Sequence, residues 1–361
     1  MDHTTGFILF SQIIGQERAI GFLKQVILQE RIPHGYLFVG TPGTGRTSTA
    51  VALAQTVNCA EPVNGEGCGV CRSCRLVGSG KFQDLEIIMP DRGSIRIEQI
   101  RELEHKIALK PLGKYRVTII PQAELMTDEA SNAFLKTLEE PPFGNILILT
   151  VTDPTHLLPT IVSRCQQVVF RPISARIIEK WLVDKKKIDG TKARLLAKIS
   201  EGSLGKAIEM CDDDFLGKRE GYLSMLMKLP GIPADEILQL ALQYTGKRKK
   251  KPEGDPEKGD EGISDLLSVW RTWFRDLVLV KAKGAEDLLI NMDFSDELKK
   301  ISKVSNINDL MEGLQLLDQA ERDLFRSRNL DLMMENVLLR LRSLTGSIKE
   351  SAPRGQRVPH E

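Results

Sequence analysis

The sequence predicts an open α/β domain built on a parallel sheet, followed by an all-helical remainder. Three observations carry this prediction. Up to about residue 170, short β-rich runs alternate with helical stretches. The β-rich runs are almost continuously apolar, as strands buried on both faces of a parallel sheet must be. From Pro172 onward such runs disappear and stripes with a 3.6-residue period take over.

The predicted strands are residues 36–39, 85–88, 117–120, 146–151 and 168–170. Amphipathic helices are expected at 16–30 and 127–140, the second opening on a capping Thr127 and stopped by Pro141-Pro142. Residues 172–212 read as a small helical unit with a Gly202-Ser203 turn ahead of Leu204. Three apolar stripes follow: Leu266, Leu267, Trp270, Trp273, Phe274, Leu277 and Val278; Ile307, Leu310, Met311, Leu314 and Leu317; and Leu330, Met333, Met334, Val337, Leu338 and Leu341. They predict a helical bundle. The segment 247–262 is charged and rich in Pro and Gly, so it is expected to stay out of any core, as is the polar tail 346–361.

Composition narrows the function classes. At 361 residues, 41% apolar and 27% charged, the chain suits two or three soluble domains. Fifty Lys and Arg against 49 Asp and Glu leave a net charge of +1, which excludes a supercharged nucleic-acid coat but permits a local basic patch. Aromatic residues are only 5%, too few for broad base-stacking platforms. No run of eighteen apolar residues is present, so no membrane partner is expected. The start, MDHTTGFILFSQ, lacks the basic-then-apolar order of a secretory signal. Six cysteines without such a signal point to a reducing cytoplasm, where clustered Cys means metal more often than disulfide.

Chemistry is expected at four places. Gly40-Thr41-Pro42-Gly43-Thr44-Gly45-Arg46-Thr47 falls between the first strand and the helical run 48–57, the context of a phosphate-binding loop. Gly40, Gly43 and Gly45 let backbone N–H groups converge on phosphate, and Thr47 stands where a hydroxyl would hold Mg²⁺. Arg46 replaces the usual Lys, and a planar fork is no substitute for a compact ammonium. Binding of ATP with Mg²⁺ is therefore expected to be weak if it occurs at all, and a ligand-free strand-to-helix turn stays open as a reading. Second, the strand 117–120 ends in Pro121-Gln122, where a P-loop ATPase needs carboxylates for Mg²⁺ and the attacking water. Third, Cys59, Cys68, Cys71 and Cys74 have the density of a closed tetrahedral Zn²⁺ site, whereas Cys165 and Cys211 read as ordinary small residues. Fourth, Ser163-Arg164-Cys165 precedes the last strand, which makes Arg164 a candidate arginine finger for a neighbour's nucleotide. An internal salt bridge steadying that turn is the alternative.

Several strings together resemble the clamp-loader branch of the AAA+ proteins. They are Ile14-Gly15-Gln16, Pro33-His34-Gly35-Tyr36-Leu37-Phe38, the glycine-rich loop, the four-cysteine module, Ser131-Asn132-Ala133-Phe134-Leu135-Lys136-Thr137-Leu138-Glu139-Glu140-Pro141-Pro142 and the Ser-Arg-Cys tripeptide. The resemblance is dense over about residues 10–210; beyond it only Glu335-Asn336-Val337-Leu338-Leu339 looks familiar. It implies an AAA+ α/β P-loop domain at 1–171 carrying the cysteine module at 59–74, a helical lid at 172–212 and an all-α collar at 213–345. Motor subunits of the gamma/tau type in that family keep Lys in the loop, Asp-Glu after the partner strand and Arg after Gly-Ser-Leu. This chain has Arg46, Pro121-Gln122 and Gly205-Lys206 at those positions.

The resemblance thus implies a stator of the bacterial DNA polymerase III clamp loader, hydrolysing nothing itself and lending Arg164 to a motor neighbour. Its implied partners are gamma/tau and delta subunits, the sliding clamp and primer-template DNA, in the bacterial cytoplasm. Arg96 and Arg101 are candidate phosphate contacts, with a solvated helix face as the alternative. Two other classes remain: an active motor in which Glu124 supplies the missing carboxylate, and a stand-alone zinc-containing nucleic-acid binder.

Overall fold

The computed structural model describes residues 8–91, 93–212, 214–245, 261–324 and 329–350. The charged segment expected at 247–262 lies outside them except for its last two residues, as does the tail beyond residue 350. The chain divides into two compact units, residues 1–209 and 210–361.

The first unit is a three-layer α/β/α structure. Its strands are β1 (Gly35–Val39), β2 (Leu85–Ile87), β3 (Arg116–Ile120), β4 (Asn145–Val151) and β5 (Gln166–Val169). They form one parallel sheet in the order β2-β3-β4-β1-β5, so β4 lies between β1 and β3. Alternate side chains feed opposite faces, as the period-2 geometry of a strand requires. Tyr36, Phe38, Ile119 and Ile148 pack against α1 (Glu17–Leu28) and α2 (Arg46–Val57). Leu37, Ile120, Leu147 and Leu149 pack against α4 (Ile97–Ile107) and α5 (Asp128–Glu139), with α3 (Arg72–Gly78) lying in the cysteine module. Thr127 caps α5 by accepting from Ala130 N at 3.2 Å.

The five predicted strands are present, and β5 begins earlier than expected. Gln166 and Gln167 are exposed at the sheet edge, where only one residue in four is buried, so the apolar reading caught only its far half. Among the described residues no strand follows Val169. A short α6 (Pro159–Val162), then α7 (Ala175–Trp181), a π-helical turn at Leu182–Lys186 and α8 (Gly190–Ile199) complete this unit, and α9 (Leu204–Asp212) spans the division point. The helical segment expected as a lid falls in the same compact unit as the sheet up to residue 209, and Gly205 N donates across to Gly43 O.

The second unit is helical: α10 (Phe215–Lys228), α11 (Ala234–Thr245), α12 (Glu261–Lys281), α13 (Ser295–Val304), α14 (Ile307–Asp323) and α15 (Leu330–Glu350). Trp270 of α12 is fully buried and donates to Tyr222 O at 2.9 Å. Arg219 is buried with both terminal nitrogens bonded, to Asp293 at 2.6 and 2.9 Å and to Asn291 at 2.7 Å, which satisfies a charge that would otherwise be costly. The stripe predicted on α14 is corrected in part. Ile307 and Met311 are 38% and 40% exposed, because the buried row runs through Leu310, Gly313, Leu317 and Ala320, with Gly313 pressed on the Phe274 ring. The last helix runs to Glu350, into the expected tail, and carries Gly346 in its interior.

Candidate functional site

The candidate site is built at the carboxyl ends of β1, β3 and β4. The loop leaving β1 holds Gly40 with φ +153° against Phe170, and a Cβ there would overlap Phe170 O. Gly40 N donates to Val151 O at the end of β4, which locks the loop onto its neighbouring strand. Gly43 has φ +74°, and Gly205 N donates to its carbonyl at 3.0 Å. A Cβ on Gly205 would stand 2.9 Å from Gly43 Cα, so the two backbones meet because both residues are glycine. Position 205, where the resemblance expects a motor's sensing Arg, is thus pressed against the loop.

The loop's side chains do not match its backbone. Arg46 is buried, and its Nη1 has no hydrogen-bond partner among the described residues. Burial pushes the guanidinium below its ordinary value, and the Glu124 carboxylate partly offsets this. Glu124 is anchored through one of its two oxygens. Its Oε1 accepts from Thr152 N at 3.0 Å and Thr152 Oγ1 at 2.9 Å, tying the β3 exit to the β4 exit. Its Oε2 is buried with no hydrogen-bond partner among the described residues, so the carboxylate named in the active-motor alternative keeps one oxygen unengaged. Pro121 and Gln122 occupy the end of β3, with Gln122 in the left-handed region at φ 52° and its N–H on Thr150 Oγ1 at 3.2 Å.

The four cysteines come together as predicted. Their sulfurs all lie within 4.8 Å of one another, and Cys59 and Cys71 Sγ are 3.9 Å apart. A tetrahedral site with Zn–S near ~2.3 Å has sulfur–sulfur edges of about 3.8 Å, so this donor set fits zinc. Backbone N–H groups of Cys68, Cys71 and Cys74 point at Cys59, Cys68 and Cys71 sulfurs at 3.2, 3.4 and 3.5 Å, an arrangement suited to thiolates. Burial works to raise Cys71, but N–H bonds from Ala60 and Cys74 outweigh it and bring it down to about 6. Glu66 fastens the module to α1 through Lys24 at 3.3 Å and accepts Ser11 N at 2.6 Å. Cys165 stands apart from the cluster, and burial pushes its thiol up to about 12.

Arg164 lies at the opposite end of the sheet. Its carbonyl packs beside Gly35, the first residue of β1, whereas the glycine-rich loop leaves the last residue, Val39. Four residue steps of strand rise about 13 Å, so Arg164 does not serve its own loop. Arg164 Nη2 pairs with Glu139 Oε1 at 2.7 Å, and Nη1 donates to Thr160 O at 3.0 Å. The internal salt bridge foreseen as an alternative is therefore present. Its partner Glu139 was not picked out in the sequence; its only local mark is an acidic residue ending a helix, against the dipole. Arg96 and Arg101 are both exposed, Arg96 at the start of α4.

A parallel sheet in this order, with a glycine-rich loop leaving β1 and helices closing on that loop, defines a P-loop domain of the AAA+ type. The family described as DNA polymerase III, delta subunit, matches residues 15–174. The delta' subunit of DNA polymerase III from Bacillus subtilis is 30% identical over 328 residues, covering 90% of this chain and 96% of that one. The tau subunit of the same organism is 29% identical over 338 residues, 87% of this chain, and the tau subunit of Escherichia coli 35% over 251 residues, 66% of this chain. The matched regions span 58% and 39% of those longer tau proteins. A solved gamma-subunit-related protein of Thermotoga maritima overlays with a TM-score of 0.46 at 18% identity, covering 90% of this chain and 99% of that one. The chain belongs to the delta-prime family of bacterial DNA polymerase III clamp-loader subunits.

Proposed function

We propose that this subunit hydrolyses no ATP itself and instead lends Arg164 to the nucleotide of an adjoining motor subunit. The observation that carries the first half is the exit of β3: Pro121 and Gln122 stand where a P-loop ATPase needs its carboxylates, at the same end of the sheet as the glycine-rich loop, and Glu124 is anchored to Thr152 through Oε1. Without a carboxylate there, neither Mg²⁺ nor an attacking water has its protein partner. The second half is supported by the placement of Arg164 at the far end of the sheet from its own loop. In phosphoryl transfer the γ-phosphate oxygens gather charge, and a guanidinium supplied from outside stabilises it.

The ion pair to Glu139 favours a second reading, in which Arg164 only steadies its turn. The pair is half exposed, with side chains 36% and 51% accessible, so it adds at most about 1 kcal/mol to the stability of the turn. That is small beside what a finger contributes to a transition state.

In this account the α/β domain with its helical lid (172–212) and the collar (213–345) assemble with gamma/tau and delta-type subunits. The assembly opens the sliding clamp and loads it on primer-template DNA as part of the bacterial replication machinery, in the cytoplasm. Cys59, Cys68, Cys71 and Cys74 would hold one structural zinc ion, which when bound supplies cross-linking and no chemistry, all four positions being filled by protein. The module would brace the helix behind the glycine-rich loop, where Gly67 N donates to Thr56 Oγ1 of α2 at 3.2 Å.

The test is turnover by the purified chain alone. ATPase activity is expected to stay at background, in the wild type and after Arg46→Lys alike. Robust hydrolysis that Thr47→Ala abolishes would identify an active motor instead.

A further inference from the structure

We propose that Glu139 is the positioning residue for Arg164, fixing the direction in which the guanidinium faces the neighbouring subunit; this rests on the in-trans reading above. Two elements hold the group. Glu139, the last residue of α5, takes Nη2 at 2.7 Å, and Thr160 O on α6 takes Nη1 at 3.0 Å. A guanidinium with two nitrogens engaged at fixed angles has lost most of its rotamer freedom before any neighbour arrives.

The choice of residue argues for a role beyond the fold. Asp128 and Glu129 sit favourably in the first turn of α5 and Lys136 in its last, in accord with the helix dipole. Glu139 opposes that dipole at the carbonyl end, so helix stability does not account for it. Nor does burial, because both partners remain accessible to solvent. What the pair does supply is orientation of an exposed arginine, leaving its outer edge open to a phosphate.

Glu139 touches no nucleotide in this scheme; it acts through Arg164. The experiment uses the reconstituted clamp-loader assembly containing Glu139→Ala, Glu139→Gln, Arg164→Ala or the Glu139→Ala/Arg164→Ala double variant. ATP turnover, KM for ATP and thermal unfolding are measured for each. Glu139→Ala is expected to take at least half of the kcat loss caused by Arg164→Ala, with KM and the unfolding temperature unchanged. Glu139→Gln, isosteric and still an acceptor for Nη2, should restore most of the rate. The double variant should turn over no more slowly than Arg164→Ala alone, since the two residues act as one unit. Wild-type kcat in Glu139→Ala beside a lowered kcat in Arg164→Ala would overturn the positioning role while leaving the finger standing. Wild-type kcat in Arg164→Ala would remove the in-trans reading, and this proposal with it.

Discussion

The two ends of the parallel sheet have gone opposite ways. At the carboxyl end the backbone of a phosphate cradle survives, with Gly40 and Gly43 in conformations closed to other residues, yet its side chains depart from those of a P-loop ATPase. Arg46 is buried, the β3 exit carries Pro121-Gln122, and Gly205 presses on Gly43. At the amino end Arg164 is exposed and held in one direction by Glu139 and Thr160. On the proposed reading, one end keeps a shape without its reaction. The other, on the same reading, carries a group that acts outside the chain.

That contrast can be attacked from both ends. The largest effect on stability is expected at the cysteine module behind the cradle. Replacing Cys71 by Ser leaves three thiolates and an imperfect fourth ligand, so metal content should fall from about one zinc per chain toward zero. A loss of roughly 4 kcal/mol would lower the melting temperature of the first unit by about 8–16 °C. A well-folded wild-type protein with no zinc in metal analysis would refute the assignment.

A smaller loss is expected in the cradle itself. Gly40→Ala forces a Cβ into Phe170 O at a φ of +153°, so about 2 kcal/mol, or roughly 4–8 °C, should be lost. Calorimetry of the single variant checks it. An unchanged melting point would mean that the loop is free to move off Phe170 and that its shape is not held by the fold.

The sheet and the cysteine site were legible because both write themselves locally. Buried parallel strands are apolar runs, and four cysteines within sixteen positions need no distant partner to be noticed. What the sequence hid depends on long-range pairing or on small residues. Glu139 and Arg164 are 25 positions apart, as 164 minus 139 gives, and Glu124 and Thr152 are 28 apart. Neither pair forms a periodic pattern. Gln166 and Gln167 look like a loop until an edge position explains their polarity. Gly313 and Ala320 carry the buried row of α14 because Phe274 fills the space, and an apolar count passes over both. The closure of Gly205 on Gly43 was visible only as a missing arginine.

The smallest effect on stability is expected at Arg164, where a half-exposed ion pair is worth at most about 1 kcal/mol, and the largest effect on turnover is expected there too. The most direct measurement compares two variants of this subunit, Thr47→Ala and Arg164→Ala, each reconstituted with its wild-type partners. Steady-state ATP turnover of the complete assembly is read in both. Thr47→Ala is predicted to leave turnover at the wild-type rate, because the chain's own cradle performs no chemistry. Arg164→Ala is predicted to assemble normally and to lower turnover in part, since other subunit interfaces keep their own arginines. The reverse outcome, loss with Thr47→Ala and none with Arg164→Ala, would contradict the account.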